Sequence, residues 1–233
     1  MTTSISPIAH IRTPFKEKFA VPRQPGLADA AIGEICFTHD FQKPDFTRGI
    51  EQFSHLWLIF GFHQTTRDTH SALVRPPRLG GNQKVGVFAS RSTFRPNNLG
   101  LSVVELIKVT IDEGVSRLHV KGMDLVDQTP IYDIKPYLAY VDAVPEAASG
   151  YAQQAPSQLM SVSFSTQSIA ALEVHKETHP NLQRLIEQVL SQDPRPAYRQ
   201  AEQQERLYGV KLYEFDIRWR VAGDHCIVEQ IVS

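Results

Sequence analysis

A chain of 233 residues, 42% of them apolar, is long enough to bury a substantial core, and its formal charge of -1 lacks the basic excess that sequence-independent phosphate binding usually shows. The stretch Met1-Thr-Thr-Ser-Ile-Ser-Pro7 has neither the basic start nor the apolar centre of a secretion signal, and the longest apolar run, Leu56 to Phe62, is too short to span a bilayer. Cys36 and Cys226 stand far apart, which excludes a cysteine-based metal or redox motif, suits a reducing compartment and gives a cytoplasmic location as the expectation.

Taken in chain order, the first 140 residues predict short strands at Ile5 to Arg12, Ala31 to Thr38, His55 to His63, Lys84 to Ala89, Ser102 to Thr110, Ser116 to Lys121 and Pro130 to Lys135. The segment Ser116-Arg-Leu-His-Val-Lys121 alternates with period two, and Val103, Ile107, Val109 and Ile111 share one parity with Leu99 and Leu101. Turn signals at Pro25-Gly26, Gly80-Gly81-Asn82 and Pro96-Asn97-Asn98 separate the runs. Many strands without long intervening helices predict an antiparallel β-barrel over residues 1–145 and exclude a doubly wound sheet. Residues 145–157 are small and polar, as a boundary loop would be. Beyond them Ile169 and Leu172, then Leu182, Leu185, Ile186, Val189 and Leu190, recur at helical spacing, and strands follow at Leu207 to Phe215 and Cys226 to Val232. The fold expected is mainly β, with a small C-terminal α+β domain over residues 155–233.

Charge is distributed unevenly. From Thr69 to Val104 there is no acidic residue, whereas Arg75, Arg78, Lys84, Arg91 and Arg95 all fall there, so this segment is either an anion-attracting face or a solvated surface that lacks acids. Asp124-Leu125-Val126-Asp127 and Asp133 set carboxylates among apolar residues, which points to a polar pocket or to internal ion pairs. His63-Gln64 ends the most apolar strand, where a loop can present both side chains. Neither standard glycine loop for nucleotides is present, no serine lies in a nucleophile elbow, and His175 and His179 have metal-ligand spacing without the rest of a zinc motif.

Five stretches carry a resemblance: Pro14 to Leu27, Phe53 to Trp57, Val74-Arg-Pro-Pro-Arg-Leu-Gly-Gly81, Val87-Phe-Ala-Ser-Arg-Ser-Thr-Phe-Arg-Pro-Asn97 and Asp124 to Asp127. Together they resemble the TsaA/TrmO family of S-adenosylmethionine-dependent tRNA methyltransferases, which are built on a β-barrel, and Asp193-Pro-Arg-Pro-Ala-Tyr-Arg199 is similar to that family's C-terminal extension. The resemblance implies N6-methylation of threonylcarbamoyl-adenosine next to the anticodon, with S-adenosylmethionine as cofactor, the tRNA anticodon loop as partner, and a homodimer. It maps cofactor binding to Pro25, Gly26, Leu27, His63, Gln64, Arg91, Leu101, Asp124, Leu125, Val126 and Asp127. The catalytic candidates it gives are Asp127 and Arg95, the latter toward the threonyl carboxylate or a loop phosphate, with no metal ligand. Phe94 reads either as a base-stacking ring or as core. Arg184, Arg195, Arg199, Arg218 and Arg220 are candidate phosphate contacts of a C-terminal domain that assists tRNA binding. The chain departs from the family at Asn98, where the pattern has a second proline. The barrel and cofactor alone leave open a methyltransferase on another RNA or small molecule, and a non-catalytic RNA-binding barrel.

Overall fold

The computed structural model describes residues 3–65, 71–79, 83–154, 160–195 and 206–233. Gly80-Gly81-Asn82 and, in the tail motif, residues 196–199 with Arg199 lie outside the described residues. The chain divides into two compact units: Met1–Arg12, Gly33–Lys121 and Gln128–Ala155 form the first, and Thr13–Ile32, Gly122–Asp127 and Pro156–Ser233 form the second. Two segments of the N-terminal half thus group with the C-terminal residues. Among the described residues no helix is long and apolar enough to cross a membrane.

The first unit contains β1 (Ala9–Arg12), β2 (Ile32–Phe37), β3 (His55–Gly61), β4 (Leu73–Val74), β5 (Val85–Gly86), β6 (Leu99–Asp112), β7 (Val115–Lys121), β8 (Thr129–Pro136) and the single-turn helix α1 (Ala139–Asp142). Six strands close a barrel in the order β1-β2-β7-β6-β3-β8, while β4 and β5 make a separate two-residue ladder. Period-two alternation turns Ile11, Ile35, Leu56, Leu58, Val104, Leu118, Val120 and Ile131 into a dry interior. The partnership of β3 with β6 sets Phe60 opposite Gly100. A Cβ on Gly100 would stand 2.3 Å from the Phe60 ring, so only glycine lets that ring fill the barrel end. The shared parity expected along β6 is broken by a bulge between Leu106 and Lys108, after which Val109 pairs with Leu118 and Ile111 with Ser116. An extra residue in one strand reverses the facing of everything beyond it. The strand expected at Lys84 to Ala89 is two residues long and passes into a 3₁₀ turn over Val87–Ala89.

The second unit is a four-stranded sheet with β9 (Ser161–Phe164), β10 (Tyr208–Leu212), β11 (Phe215–Ala222) and β12 (His225–Val232) in the order β10-β11-β12-β9, together with α2 (Thr166–Val174) and α3 (Leu182–Ser191). The run expected as one strand from Leu207 to Phe215 is the end of a hairpin, with Tyr213 at φ 55 in the turn. Ser165 caps α2 by accepting the Ser168 N–H at 3.1 Å. The apolar stripe of α3, Leu182, Leu185, Ile186, Val189 and Leu190, is buried, as are Val210, Leu212, Phe215, Ile217, Trp219, Cys226 and Val228 of the sheet. Each such side chain contributes about 1.5–3 kcal/mol by leaving water.

Candidate active site

The cofactor-binding residues suggested by the sequence fall into two sets. Pro25, Gly26 and Leu27 group in the second unit with Asp124, Leu125, Val126 and Asp127. There Gly26, at φ 80, donates its N–H to the Gly122 carbonyl at 2.8 Å, and Gly122 is itself at φ 73. A Cβ built on Gly122 would come 3.5 Å from the Gly26 Cα, so the two backbones lie side by side. The space over Gly26 is open to 4 Å. Two adjoining left-handed glycines therefore bring the Pro25-Gly26-Leu27 turn against the start of the Asp124–Asp127 segment and leave one backbone surface clear for a ligand.

The acidic segment is fastened at its far end. Asp127 accepts the Thr13 N–H on Oδ1 at 2.8 Å and the Lys16 ammonium on Oδ2 at 2.9 Å, and its own N–H donates to the Phe15 carbonyl at 2.7 Å. Leu125 is buried, and its carbonyl accepts the Thr13 hydroxyl at 3.1 Å. Asp124 and Val126 alternate with it and are half-buried. Helix α3 holds the glycine turn: Gln192 donates to the Leu27 carbonyl at 3.0 Å, Gln188 accepts the Ala30 N–H at 2.9 Å, and Arg184 pairs with Asp29 at 2.8 Å. No periodicity of the sequence announces these glutamines as supports of a segment 158 and 165 residues away.

The other set belongs to the first unit. His63 and Gln64 follow β3, whose end pairs with the start of β6, and the His63 ring lies 3.4 Å from the Thr129 hydroxyl on β8. Phe62 donates to the Asn98 carbonyl at 2.8 Å, which ties the strand end to the arginine loop. Leu101 projects from the outer face of β6, opposite Ile59 and 57% exposed. Arg91 is exposed, whereas Arg95 is half-buried and donates from Nη1 to the carbonyls of Ser90 at 2.7 Å and Val87 at 3.3 Å. The Arg95 guanidinium is thus committed to its own loop. Asn98 adopts φ 50 and donates its N–H to the Arg95 carbonyl at 3.1 Å. A proline could do neither, so the departure from the family pattern closes this turn by a hydrogen bond instead of a ring.

Several other expectations change. Arg195 is buried and held by both oxygens of Asp193 at 2.7 and 2.9 Å, so it makes no phosphate contact. Arg218 and Arg220 are partly exposed on β11 but paired with Asp216 and Glu229. His175 and His179 pack edge-on against Phe215, at 4.7 and 5.0 Å between ring centres. Among the described residues no group of three His, Cys, Asp or Glu side chains is placed to hold a metal ion.

Two family profiles match the chain, the tRNA-methyltransferase O N-terminal domain over residues 10–143 and the TrmO C-terminal domain over residues 157–233. A tRNA (adenine(37)-N6)-methyltransferase of Escherichia coli is 50% identical over 214 residues, covering 92% of this chain and 91% of that protein. A Pseudomonas aeruginosa relative whose name places it among S-adenosylmethionine-dependent methyltransferases is 48% identical over 94% of this chain and 93% of its own. The crystal structure of TrmO from Pseudomonas aeruginosa superimposes with a TM-score of 0.83 at 39% identity, over 100% of this chain and 99% of that one.

Proposed function

The chain belongs to the tRNA-methyltransferase O family, and on that premise we propose that its substrate is adenine 37 of tRNA already carrying a threonylcarbamoyl group. The reaction is methyl transfer from S-adenosylmethionine to N6 of that adenine. What carries this reading is the length of the likeness, since the family match runs through both parts of the chain.

The residues fit the cofactor. Its methyl sulfonium supplies the electrophilic carbon when bound, and the rest of the molecule offers a carboxylate, a ribose diol and an adenine for the protein to hold. Gly26 presents open backbone, Asp124 supplies a half-buried carboxylate for a ribose or amino group, and exposed Arg91 can fork onto the α-carboxylate. Within the first unit, His63, Gln64 and Leu101 are the other contacts proposed for the cofactor. Asp127, named above as a catalytic candidate, takes a positioning role: one of its oxygens is engaged by the Thr13 N–H and the other by the Lys16 ammonium, which ties it to the Thr13–Lys16 backbone. Arg95 likewise builds the loop, and recognition of the threonyl carboxylate falls to an exposed cation of the acid-free stretch.

The N6 atom of the modified base is urea-like, with its lone pair delocalised and its proton retained until late, so orientation supplies much of the acceleration. The enzyme would act as a homodimer in the cytoplasm, where its tRNA is; exposed Leu101, beside Ile59, Trp57 and Val103 on the outer face of β3 and β6, offers apolar surface for a second copy. Light scattering checks the assembly. The substrate is tested by incubating the purified protein and S-adenosylmethionine with tRNA with and without the threonylcarbamoyl group, followed by nucleoside analysis. Methylation of the modified tRNA alone is expected, and equal methylation of both would refute recognition of the carboxylate. Methylation of neither would point to another acceptor.

A further inference from the structure

We infer that Phe88 is a stacking platform for a nucleobase of the anticodon loop, with Arg95 holding the ring in place; the inference rests on tRNA being the substrate. Phe88 is 77% exposed, although its neighbour Val87 is buried. A single exposed aromatic ring is ordinary in itself. This one differs in how firmly it is presented. The 3₁₀ turn Val87–Ala89 is closed by the Ser90 N–H at 3.2 Å and the Ser90 hydroxyl at 2.8 Å, both donating to the Val87 carbonyl. Ser90 Oγ then accepts the Ser92 N–H, and Ser92 Oγ accepts the Phe94 N–H, each at 3.2 Å. Arg95 bonds two carbonyls of the same turn and sets its guanidinium carbon 5.8 Å from the centre of the Phe88 ring. Tyr151 adds a hydrogen bond to the Ala89 carbonyl at 3.3 Å.

The outcome is a ring fixed before any ligand arrives, backed by a cation, in a segment with exposed Arg75, Arg78, Lys84 and Arg91 and no acid from Thr69 to Val104. An aromatic face within a cationic surface suits a nucleobase whose phosphates lie close by, because stacking takes any base and the cations take the backbone. Methylation at a base edge also requires bases of the loop to be unstacked from one another, and a pre-ordered ring offers one of them a replacement partner. Phe94, the ring the sequence suggested, is only half-exposed, so Phe88 is the better platform.

The test uses the full chain. Phe88→Ala and Phe88→Leu should each raise the Kd for tRNA on the order of ten- to a hundredfold, Phe88→Tyr should retain affinity near wild type, and S-adenosylmethionine affinity and molecular mass should not change. Phe88→Trp adds an independent readout: an unmodified anticodon stem-loop should quench its fluorescence beyond the quenching of wild type. Unchanged tRNA affinity in Phe88→Ala, or an unquenched Phe88→Trp that still binds the stem-loop, would overturn the inference. So would loss of dimer mass in Phe88→Ala, which would make the ring a subunit contact. Because these readouts measure RNA binding, a wild type that binds RNA without methylating it would instead refute the proposed reaction.

Discussion

Asp127 can be either the base of the reaction or the clasp of a loop, and two substitutions separate these roles. Its side chain is only 16% exposed, with one oxygen on the Thr13 N–H and the other on the Lys16 ammonium. Replacement by alanine removes a charge-assisted hydrogen bond to backbone, about 1.5–3 kcal/mol, and a salt bridge to a lysine that is 38% exposed, about 0–1 kcal/mol. The sum, about 1.5–4 kcal/mol, corresponds to a fall in Tm of about 3–16 °C in a chain of this size. Asparagine keeps an acceptor for the Thr13 N–H and loses only the lysine, at about 1 kcal/mol or less. Calorimetry measures the stabilities, and single-turnover methylation at saturating S-adenosylmethionine measures the chemistry. A clasp predicts that Asp127→Asn keeps most of the single-turnover rate while Asp127→Ala is unstable and binds the cofactor poorly. An asparagine variant with wild-type stability and a rate lowered a thousandfold would refute the clasp and return Asp127 to the role of base.

Further outcomes follow from the same geometry. Gly26→Ala puts a side chain at φ 80 where nothing lies within 4 Å, so it should cost about 1 kcal/mol of stability yet weaken S-adenosylmethionine binding more than tenfold in calorimetric titration. Gln192→Leu and Gln188→Leu, each removing one support of the Leu27–Ala30 backbone, should weaken cofactor binding severalfold; affinities equal to wild type would release α3 from that role. Burial, and then the neighbouring Lys108 ammonium, hold the His119 imidazole below its ordinary 6.5. The unfolded chain therefore takes up this proton before the folded one does, and stability should fall as pH drops through about 6.5; His119→Gln should lessen that fall in scanning calorimetry. The Cys226 thiol is pushed up to about 12 by burial, so Ellman's reagent at pH 8 should leave it untouched in the native protein and titrate both cysteines after denaturation.

The barrel was legible because its strands obey one rule, apolar residues inward at every second position, and few long helices compete for the same residues. What escaped was set by single residues. The bulge at Leu106 to Lys108 reverses the parity of Val109 and Ile111, and no composition signal marks it. Strand β11 escaped despite a clear signal: Phe215, Ile217 and Trp219 alternate with Asp216, Arg218 and Arg220, and the three charged residues masked a strand whose one face meets solvent. The helix at Leu182 to Ser191 was legible because five of its buried residues, Leu182, Leu185, Ile186, Val189 and Leu190, are apolar at helical spacing.

The proposed cofactor residues come from a resemblance, whereas the residues that support the glycine turn had no signal in the sequence, for a physical reason. A residue that touches a ligand has a type dictated by the ligand's chemistry: a glycine where backbone must be bare, an acid for a diol, an arginine for a carboxylate. A residue that holds such a group in place needs only the right reach, and Gln188 and Gln192 could be read as the polar face of any surface helix. Helix α3 contributes none of the predicted ligand contacts, yet two of its glutamines and Arg184 grip the segment from Leu27 to Ala30. The C-terminal residues 156–233, which the sequence suggests only for tRNA binding, therefore support the glycine turn on which the proposed cofactor contacts depend, and the second unit gathers Thr13–Ile32 and Gly122–Asp127 accordingly. A site is only as good as the shell behind it, so the cofactor contacts proposed for the glycine turn depend on side chains encoded more than 150 residues later.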